Sequence, residues 1–200
     1  MSVSPLPPPA DRPLRADARR NREAILDAAR HQFGVDGLDA QIDDVAARAG
    51  VGVGTMYRHF PTKEMLIEAL TLAHFEQLAA DADAAWAAVE GGADAWEELC
   101  DLLRASARRF ADDAGLSEVV SNRPEAVQEC AGVKTGLQAT TGRIMERAIA
   151  DGTLRADAQV SDIPLMMTGL GRVVSDTARA MGLSWERYVE LMLDGLRARP

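Results

Sequence analysis

The stretch from Ile42 to Lys63, IDDVAARAGVGVGTMYRHFPTK, constrains the fold more than any other part of the chain. Apolar residues recur in it at near-helical spacing, which predicts a short helix from Ile42 to Ala49 with one apolar side. Gly50 ends this helix, and a second helix is predicted from Val53 to about Phe60, where Pro61 bars continuation. Two helices joined by a tight glycine-containing turn predict a helix-turn-helix, which lays its second helix in a DNA major groove.

The second helix of this motif is predicted to have two different faces. Met56 and Phe60 are four residues apart and can share a buried face. The outer face is polar and able to form hydrogen bonds, and it carries Thr55, Tyr57, Arg58 and His59. Gly54 lets the start of the helix approach a groove floor closely, because glycine has no β-carbon. Thr62 is predicted to cap the next helix, which begins at Lys63.

The run AGVGVGTMYRHFPTKEMLIEAL, residues 49–70, resembles the DNA-binding signature of the TetR family of bacterial transcription regulators. A T-x-Y-x-x-F core followed by a Thr-Lys-Glu helix start makes the resemblance specific. It covers roughly residues 20–70, about a quarter of the chain. It implies an all-α fold in which a three-helix N-terminal helix-turn-helix domain precedes a larger helical domain for ligand binding and dimerisation.

The resemblance also implies roles for individual residues in DNA recognition. The residues in the positions of phosphate contacts are Tyr57, His59 and Lys63. The residues at the start of the recognition helix, where base edges are met, are Val53, Gly54 and Thr55. Val53 cannot form hydrogen bonds, so it is expected to contact a thymine methyl group rather than read a guanine. Arg58 reaches a phosphate or a guanine, or is merely solvated, and Asp43 occupies a position that reads bases in relatives.

Composition and charge favour the same fold and limit how DNA can be bound. Among the 200 residues aromatics are sparse while alanine and leucine are abundant, which favours an all-α protein. The formal net charge is −9, but the charge is unevenly distributed. Residues 1–63 contain nine basic and eight acidic residues, whereas the rest of the chain contains 13 basic and 23 acidic residues. DNA contact must therefore be local and geometric. An arginine cluster precedes the motif, made of Arg12, Arg15, Arg19, Arg20 and Arg22.

Residues 1–18 contain five of the nine prolines and no periodic apolar pattern. They are expected to form a disordered or extended tail. The alternative is that their arginines enter an adjacent minor groove. The predicted domains are this tail, a helix-turn-helix domain over residues 19–63 and a ligand-binding and dimerisation domain over residues 64–200.

Apolar periodicity predicts about nine helices in all. The first spans Arg20 to Gln32 and is ended by Gly34, and Asp39 is the candidate cap of the second. The later helices are predicted from Lys63 through at least Leu78, over 96–110, from Pro124 to about Ala150, from Asp162 through Ala178, and from Ser184 to about Arg197. Residues 112–115 are predicted to be a loop, followed by a short apolar turn over 116–120.

The larger domain is expected to hold an apolar or weakly polar ligand, because it carries adaptable methionines and few aromatic residues. The candidate lining of the pocket is Trp96, Leu103, Phe110, Met145, Met166 and Met167. The alternative is that these side chains only fill the core. The resemblance places the dimer surface on the last two long helices, although their apolar faces could equally fill the monomer's own core.

Other classes of function find little support in the sequence. An α-helical enzyme would need clustered ionisable groups, but the chain has no H-E-x-x-H motif, nucleophile elbow or glycine-rich phosphate loop. His59 does not have ligand spacing with His31 or His74, so no metal and no cofactor are expected. Cys100 and Cys130 need no explanation beyond burial. The absence of a long apolar run predicts a soluble cytoplasmic protein.

The resulting hypothesis is a ligand-responsive regulator, a repressor, that binds a palindromic DNA operator as a homodimer and is released by a small effector. A second hypothesis is a small-molecule-binding or interaction module without significant DNA affinity. The acidic balance and the apolar Val53 keep it open. Steep salt dependence of DNA binding would separate the two, because only phosphate neutralisation produces it.

Overall fold

A computed structural model describes the backbone of residues 11–173, 182 and 184–199. Within these residues ten α-helices, numbered in chain order, are joined by short connections. They are α1 (Asp11–Asp36), α2 (Ile42–Ala49), α3 (Val53–His59), α4 (Lys63–Glu90), α5 (Ala95–Asp112), α6 (Ala114–Asn122), α7 (Pro124–Glu129), α8 (Ala131–Ala150), α9 (Asp162–Val173) and α10 (Trp185–Leu196). The described backbone has no β-sheet, and its single antiparallel bridge joins Leu154 to Arg197. The all-α prediction is confirmed, with one helix more than expected.

The first helix is longer than predicted at both ends. Residues 11–18 are helical rather than extended, while residues 1–10 of the predicted tail lie outside the described residues. Proline is compatible with a first helical turn, and the side-chain pairs Arg20 with Asp17 and Arg19 with Glu23 support the turns that follow. Gly34 does not end the helix. The chain leaves it at Gly37, which adopts a left-handed conformation with φ of +61°.

The helix-turn-helix is formed as predicted by α2 and α3. Gly50 ends α2 with φ of 67°, and the amide of Val51 donates to the carbonyl of Ala46 at 3.1 Å. Together with the bond from the Gly50 amide to the Ala47 carbonyl at 3.2 Å, this forms a Schellman motif. The predicted cap of α2 is wrong, because Gln41 occupies the N-cap and Asp39 belongs to a preceding 3₁₀ turn.

Helix α4 is a continuous element of 28 residues. The Oγ1 of Thr62 accepts from the Met65 amide at 3.2 Å, so the predicted cap is confirmed. The helix runs past Leu78 to Glu90 and ends at the pair Gly91-Gly92. Because its first turns pack with α1 to α3 and its later turns with α5 and α8, α4 belongs to both halves of the molecule.

The middle of the chain is divided differently from the prediction. Asp113 is the only residue between α5 and α6, and its Oδ1 accepts from the Leu116 amide at 2.8 Å, so the predicted loop and apolar turn form a capped helix. The helix expected from Pro124 to Ala150 is broken at Cys130 into α7 and α8. There the thiol of Cys130 donates to the Ala126 carbonyl at 3.4 Å, which in a continuous helix would accept from a backbone amide.

The final two helices agree with the sequence over the part that is described. Helix α9 begins at Asp162 as predicted, while residues 174–178 of the expected helix lie outside the described residues. The Oγ of Ser184 caps α10 by accepting from the Arg187 amide at 3.2 Å. Tyr188 on α10 donates through its hydroxyl to the carbonyl of Met166 on α9 at 3.1 Å, which fixes the two helices against each other.

The buried side chains form two clusters, and α4 contributes to both. The N-terminal cluster is made by α1 to α3 and the first turns of α4, through Leu66, Ile67 and Leu70. It is completed from the other half of the chain by Val119 of α6 and Ala126 of α7. The body cluster is made by the later turns of α4 with α5, α8, α9 and α10. The predicted boundary after Lys63 therefore coincides with the start of a helix whose first turns pack in the N-terminal core.

Candidate nucleic-acid interface and ligand cavity

Helix α3 is anchored by two apolar side chains and presents the rest of its surface to solvent. Met56 and Phe60 are 0% and 3% exposed, as the spacing predicted. On the outer side Val53 is 47% and Tyr57 45% exposed, and Arg58 is also exposed. Of the other candidate contacts on this helix, Gly54 is exposed, while Thr55 and His59 are half-buried. The predicted division into a buried and an outward face is confirmed.

The glycines that flank the start of α3 leave it open to a partner. A β-carbon built on Gly52 or on Gly54 meets no atom within 4 Å. Glycine is therefore not required at these positions to avoid a clash within the chain. They allow another molecule to approach the first turn of α3 closely, where Gly52 is the N-cap with extended backbone.

Lys63 does not point freely into solvent. Its ammonium group donates to the carbonyl of Leu38 and lies 5.8 Å from the centroid of the Phe33 ring. The side chain is half-buried, so it joins the start of α4 to the end of α1 and the turn that follows. A phosphate contact by Lys63 requires its ammonium to leave this carbonyl, or to accommodate a phosphate oxygen as a further acceptor.

The exposed surface of α2 carries both signs of charge. Asp43 and Asp44 lie in its first turn, where carboxylates interact favourably with the positive end of the helix. Arg48 lies in the last turn and donates through Nε to the side chain of Gln32 at 3.3 Å. The sequence reasoning missed Arg48, although a basic residue at the end of the first motif helix was the available signal. Asp43 is exposed and therefore accessible to a partner.

A cavity of about 560 Å³ lies among α4, α5, α6, α7, α8 and α9. Its volume falls within the range of about 300–1,000 Å³ typical of small-molecule sites. Of the six predicted lining residues, Leu103, Phe110 and Met167 line it. Trp96, Met145 and Met166 do not, so that part of the prediction needs correction.

The three misassigned residues lie along the same helices as the cavity but outside it. Trp96 is seven residues before Leu103, in the first turn of α5 and thus about two turns from the cavity residue. Its ring centroid lies 5.9 Å from the Arg197 guanidinium. Met145 is 2% exposed and packs in the body core. Met166 packs against the same core beside Tyr188. A helical stripe predicts which side chains face inward, but not where the inward side opens into a cavity.

His74 is a buried polar residue in the cavity wall that the sequence reasoning considered only as a metal ligand. It is 8% exposed, and its Nδ1 has no hydrogen-bond partner among the described residues. Burial, together with the positive charges of Arg109 and Arg30, lowers the pKa of His74 to about 4. At neutral pH the imidazole is therefore uncharged.

The two cysteines are buried and unpaired. Burial raises the pKa of the Cys100 thiol to about 12, so it is protonated and unreactive at neutral pH. In the part of the chain that the structure describes, no group of three or more His, Cys, Asp or Glu side chains could hold a metal ion. Nor does that part contain a helix long and apolar enough to cross a membrane.

Comparison with known proteins identifies both halves of this arrangement. The profile of the bacterial regulatory proteins of the tetR family matches residues 25–70, which contain α2, α3 and the start of α4. The profile of the SbtR-like transcriptional regulator C-terminal domain matches residues 94–198, more than half of the chain. The chain belongs to the TetR family. The resemblance that the helix-turn-helix motif suggested is thus confirmed, and it extends into the body.

Among its relatives, this TetR-family chain is similar over most of its length to the TetR transcription regulatory protein from Mycobacterium vanbaalenii. That crystal structure shares 34% identity, covers 92% of this chain and 99% of the other, and superposes with a TM-score of 0.66. The transcriptional repressor KstR2 from Rhodococcus jostii is 25% identical over 95% of this chain and 97% of its own.

Some TetR-family matches cover only part of the chain. The repressor KstR from Mycolicibacterium smegmatis is 41% identical over 75 residues, and this chain spans only 36% of its length. Members of the family are transcription regulators rather than enzymes. This chain is likewise a transcription regulator.

Proposed function

We propose that this TetR-family regulator is a repressor that binds a palindromic operator as a homodimer and is released by a small molecule. The observation that carries the proposal is the geometry of α3, whose Met56 and Phe60 hold it on the N-terminal core while its outer face stays accessible. A short helix presented in this way fits a major groove. The symmetric pairing of two copies would place two such helices on successive half-sites.

The individual DNA contacts are proposed from position and exposure. Val53, Gly54 and Thr55 lie at the start of α3 and would meet base edges, with Val53 on a thymine methyl group. The phosphate contacts would come from Tyr57, His59 and Lys63, with Arg58 on a phosphate or a guanine and Asp43 on a base. Support comes from the exposure of Val53 and Tyr57 and from the open space around Gly54.

The proposed dimer surface lies on α9 and α10. Leu165 on α9 is 73% exposed and Leu191 on α10 is 52% exposed, and such large apolar side chains are better accommodated against another protein surface. Within the chain the two helices are fixed to each other by Tyr188 and to the body by Arg104, whose guanidinium contacts the Glu190 carboxylate at 2.8 and 3.0 Å. A rigid pair of helices with exposed leucines is suited to a four-helix bundle with its copy.

The cavity in the body is the proposed effector site. His74 and Phe75 of α4 line it, and so does Val120 of α6. Both helices also take part in the N-terminal core, α4 through its first turns and α6 through Val119. An effector that prefers one arrangement of these helices would therefore change the position of α3 relative to its copy and weaken operator binding.

Selection of bound sequences from random duplexes, followed by titration of the selected duplex, tests this function. We expect a palindrome, a stoichiometry of two chains per site and an affinity that falls steeply with salt. The double variant Tyr57→Ala, Lys63→Ala should lose binding. A bound sequence without symmetry, or normal binding by the double variant, would contradict the proposal. Failure to bind any duplex would favour an interaction module without DNA affinity.

A further inference from the structure

The wall of the effector cavity contains one positive charge. Among the lining residues that the structure describes, Lys134 alone carries a formal charge at neutral pH. Apolar side chains make up most of the remaining wall, and the polar ones include Ser106, Gln138 and Thr141. Because Lys134, Gln138 and Thr141 are spaced by four and three residues on α8, they share the face of that helix that borders the cavity.

Lys134 has no anionic partner within the described part of the chain. No carboxylate there lies within 4.0 Å of its ammonium group. The side chain is half-buried, and its Nζ lies 5.7 Å from the centroid of the Phe75 ring, which lines the same cavity. The aromatic face compensates only part of the hydration that a partly buried ammonium loses.

The other titratable group of the wall adds no charge. His74 is neutral at physiological pH because its pKa lies near 4, so it does not compete with Lys134 for an anion. Its Nδ1 is buried without a hydrogen-bond partner among the described residues and is not exposed to the cavity. The cavity thus combines one positive charge with a largely apolar surface.

We infer that the effector is an apolar acid with a single negative charge, whose carboxylate pairs with Lys134 while its body fills the apolar part of the cavity. This inference rests on the proposed function, in which this cavity holds the effector. A carboxylate gives Lys134 the charge-assisted hydrogen bond that it lacks. A neutral apolar ligand leaves the ammonium unpaired, and a cationic ligand is repelled by it.

Saturated fatty acids of 8, 10 and 12 carbons are the probes, each compared with the alcohol and the amine of the same length below its micelle concentration. Binding to the full chain without DNA is measured by isothermal titration calorimetry. We expect at least one acid to bind about tenfold to a hundredfold more tightly than its alcohol, as a hydrogen bond to a charged group provides. Failure of all three acids to bind, or equal binding of acid and alcohol, overturns the inference.

Variants at Lys134 assign the effect to that side chain. Lys134→Met keeps most of the apolar stem but removes the charge, and should reduce acid binding to the level of the alcohol. Lys134→Arg should retain the preference for the acid. The matched control is Arg147→Met, which removes one charge from an exposed position on the same helix, outside the cavity lining. An equal loss in Arg147→Met and Lys134→Met would overturn the assignment, and thermal melting identifies any variant that is unfolded.

The chain offers a direct spectroscopic readout because it contains only two lysines, Lys63 and Lys134. Reductive methylation with ¹³C-formaldehyde keeps their charge, and the Lys134→Arg variant assigns the two signals. Decanoate should shift the Lys134 signal and leave that of Lys63 unchanged. A shift of neither signal on saturation, or of Lys63 alone, would contradict the inference.

Operator binding is measured separately by fluorescence anisotropy, so the two hypotheses can fail independently. If the chain binds decanoate through Lys134 but binds no duplex, the inferred ligand class stands and the proposed function is rejected. If the chain binds a palindromic duplex but binds decanol as tightly as decanoate, the proposed function stands and the inferred ligand class is rejected.

Discussion

A β-carbon built on Gly115 of α6 would lie 1.8 Å from the carbonyl oxygen of Arg30 on α1. The two helices are thus in contact through backbone atoms, which have no rotamers through which they could yield. The contact is flanked by an ion pair of 3.5 Å between the Arg30 guanidinium and the Asp113 carboxylate. Because α1 belongs to the DNA-binding end and α6 borders the cavity, this contact joins the two physically.

Gly115→Ala is expected to separate α1 from α6. The added methyl group cannot fit beside a backbone carbonyl, so the free energy of unfolding should fall by about 1–3 kcal/mol, the usual cost of overpacking. Urea denaturation followed by circular dichroism measures this. The matched control is Gly136→Ala on α8, where a β-carbon meets nothing within 4 Å and alanine should stabilise the helix by up to about 1 kcal/mol. Unchanged stability of Gly115→Ala would show that the close contact does not exist in solution.

Val53→Ala tests the proposed contact with a thymine methyl group. The loss of apolar contact should weaken operator binding by about 1 kcal/mol, or roughly fivefold. Replacing the facing thymine by uracil removes the same contact from the DNA side. Fluorescence anisotropy of the four combinations should show that variant and uracil together weaken binding no more than either alone. Additive losses would mean that Val53 and that methyl group do not touch.

His74 should make stability depend on pH. The unfolded imidazole takes up a proton near its ordinary pKa of 6.5, whereas the folded one does so only near 4. Between these values the unfolded chain binds more protons, so stability is full above pH 6.5 and falls as the pH is lowered through this window. The wild type should lose about 2 kcal/mol relative to His74→Leu between about pH 7.5 and 5. Parallel pH profiles in urea denaturation would refute this, and His31→Leu is the control for removing an exposed imidazole.

Thr62→Ala should destabilise the start of α4. The variant loses the hydrogen bond from the Met65 amide to the Thr62 hydroxyl, which costs about 1 kcal/mol at an N-cap. Thr62→Ser keeps the oxygen and should stay close to the wild type. Thermal and urea unfolding measure both variants. Equal loss in the serine and alanine variants would assign the effect to the methyl group rather than to the cap.

The helix-turn-helix could be predicted from sequence because its determinants are adjacent in the chain. Gly50, Gly52, Pro61 and Thr62 fix the ends of its helices through backbone geometry that each residue imposes locally. Met56 and Phe60 fix which side of α3 is buried. None of these requires knowledge of what packs against them.

Features without a local signal in the sequence were missed. The break at Cys130 occurs at a residue type that does not ordinarily end helices. The ammonium of Lys63 finds its acceptor at Leu38, 25 residues earlier. Lys134 and His74 resemble solvent-facing positions of amphipathic helices, and only the packing of six helices places them in the wall of a cavity. A stripe of apolar residues does not indicate whether its neighbours leave a space.

The N-terminal core is closed by Val119 and Ala126, which lie more than fifty residues beyond the motif that it supports. A fragment cut at the start of α4 would lack Val119 and Ala126 as well as the α4 side chains of this core, and would expose to water the apolar surface that they now cover. Exchanging operator specificities between regulators of this kind therefore means transplanting a discontinuous unit. A hybrid that takes the first seventy residues from one parent inherits the recognition helix and most of its core, but the side chains at positions 119 and 126 that complete this core come from the other.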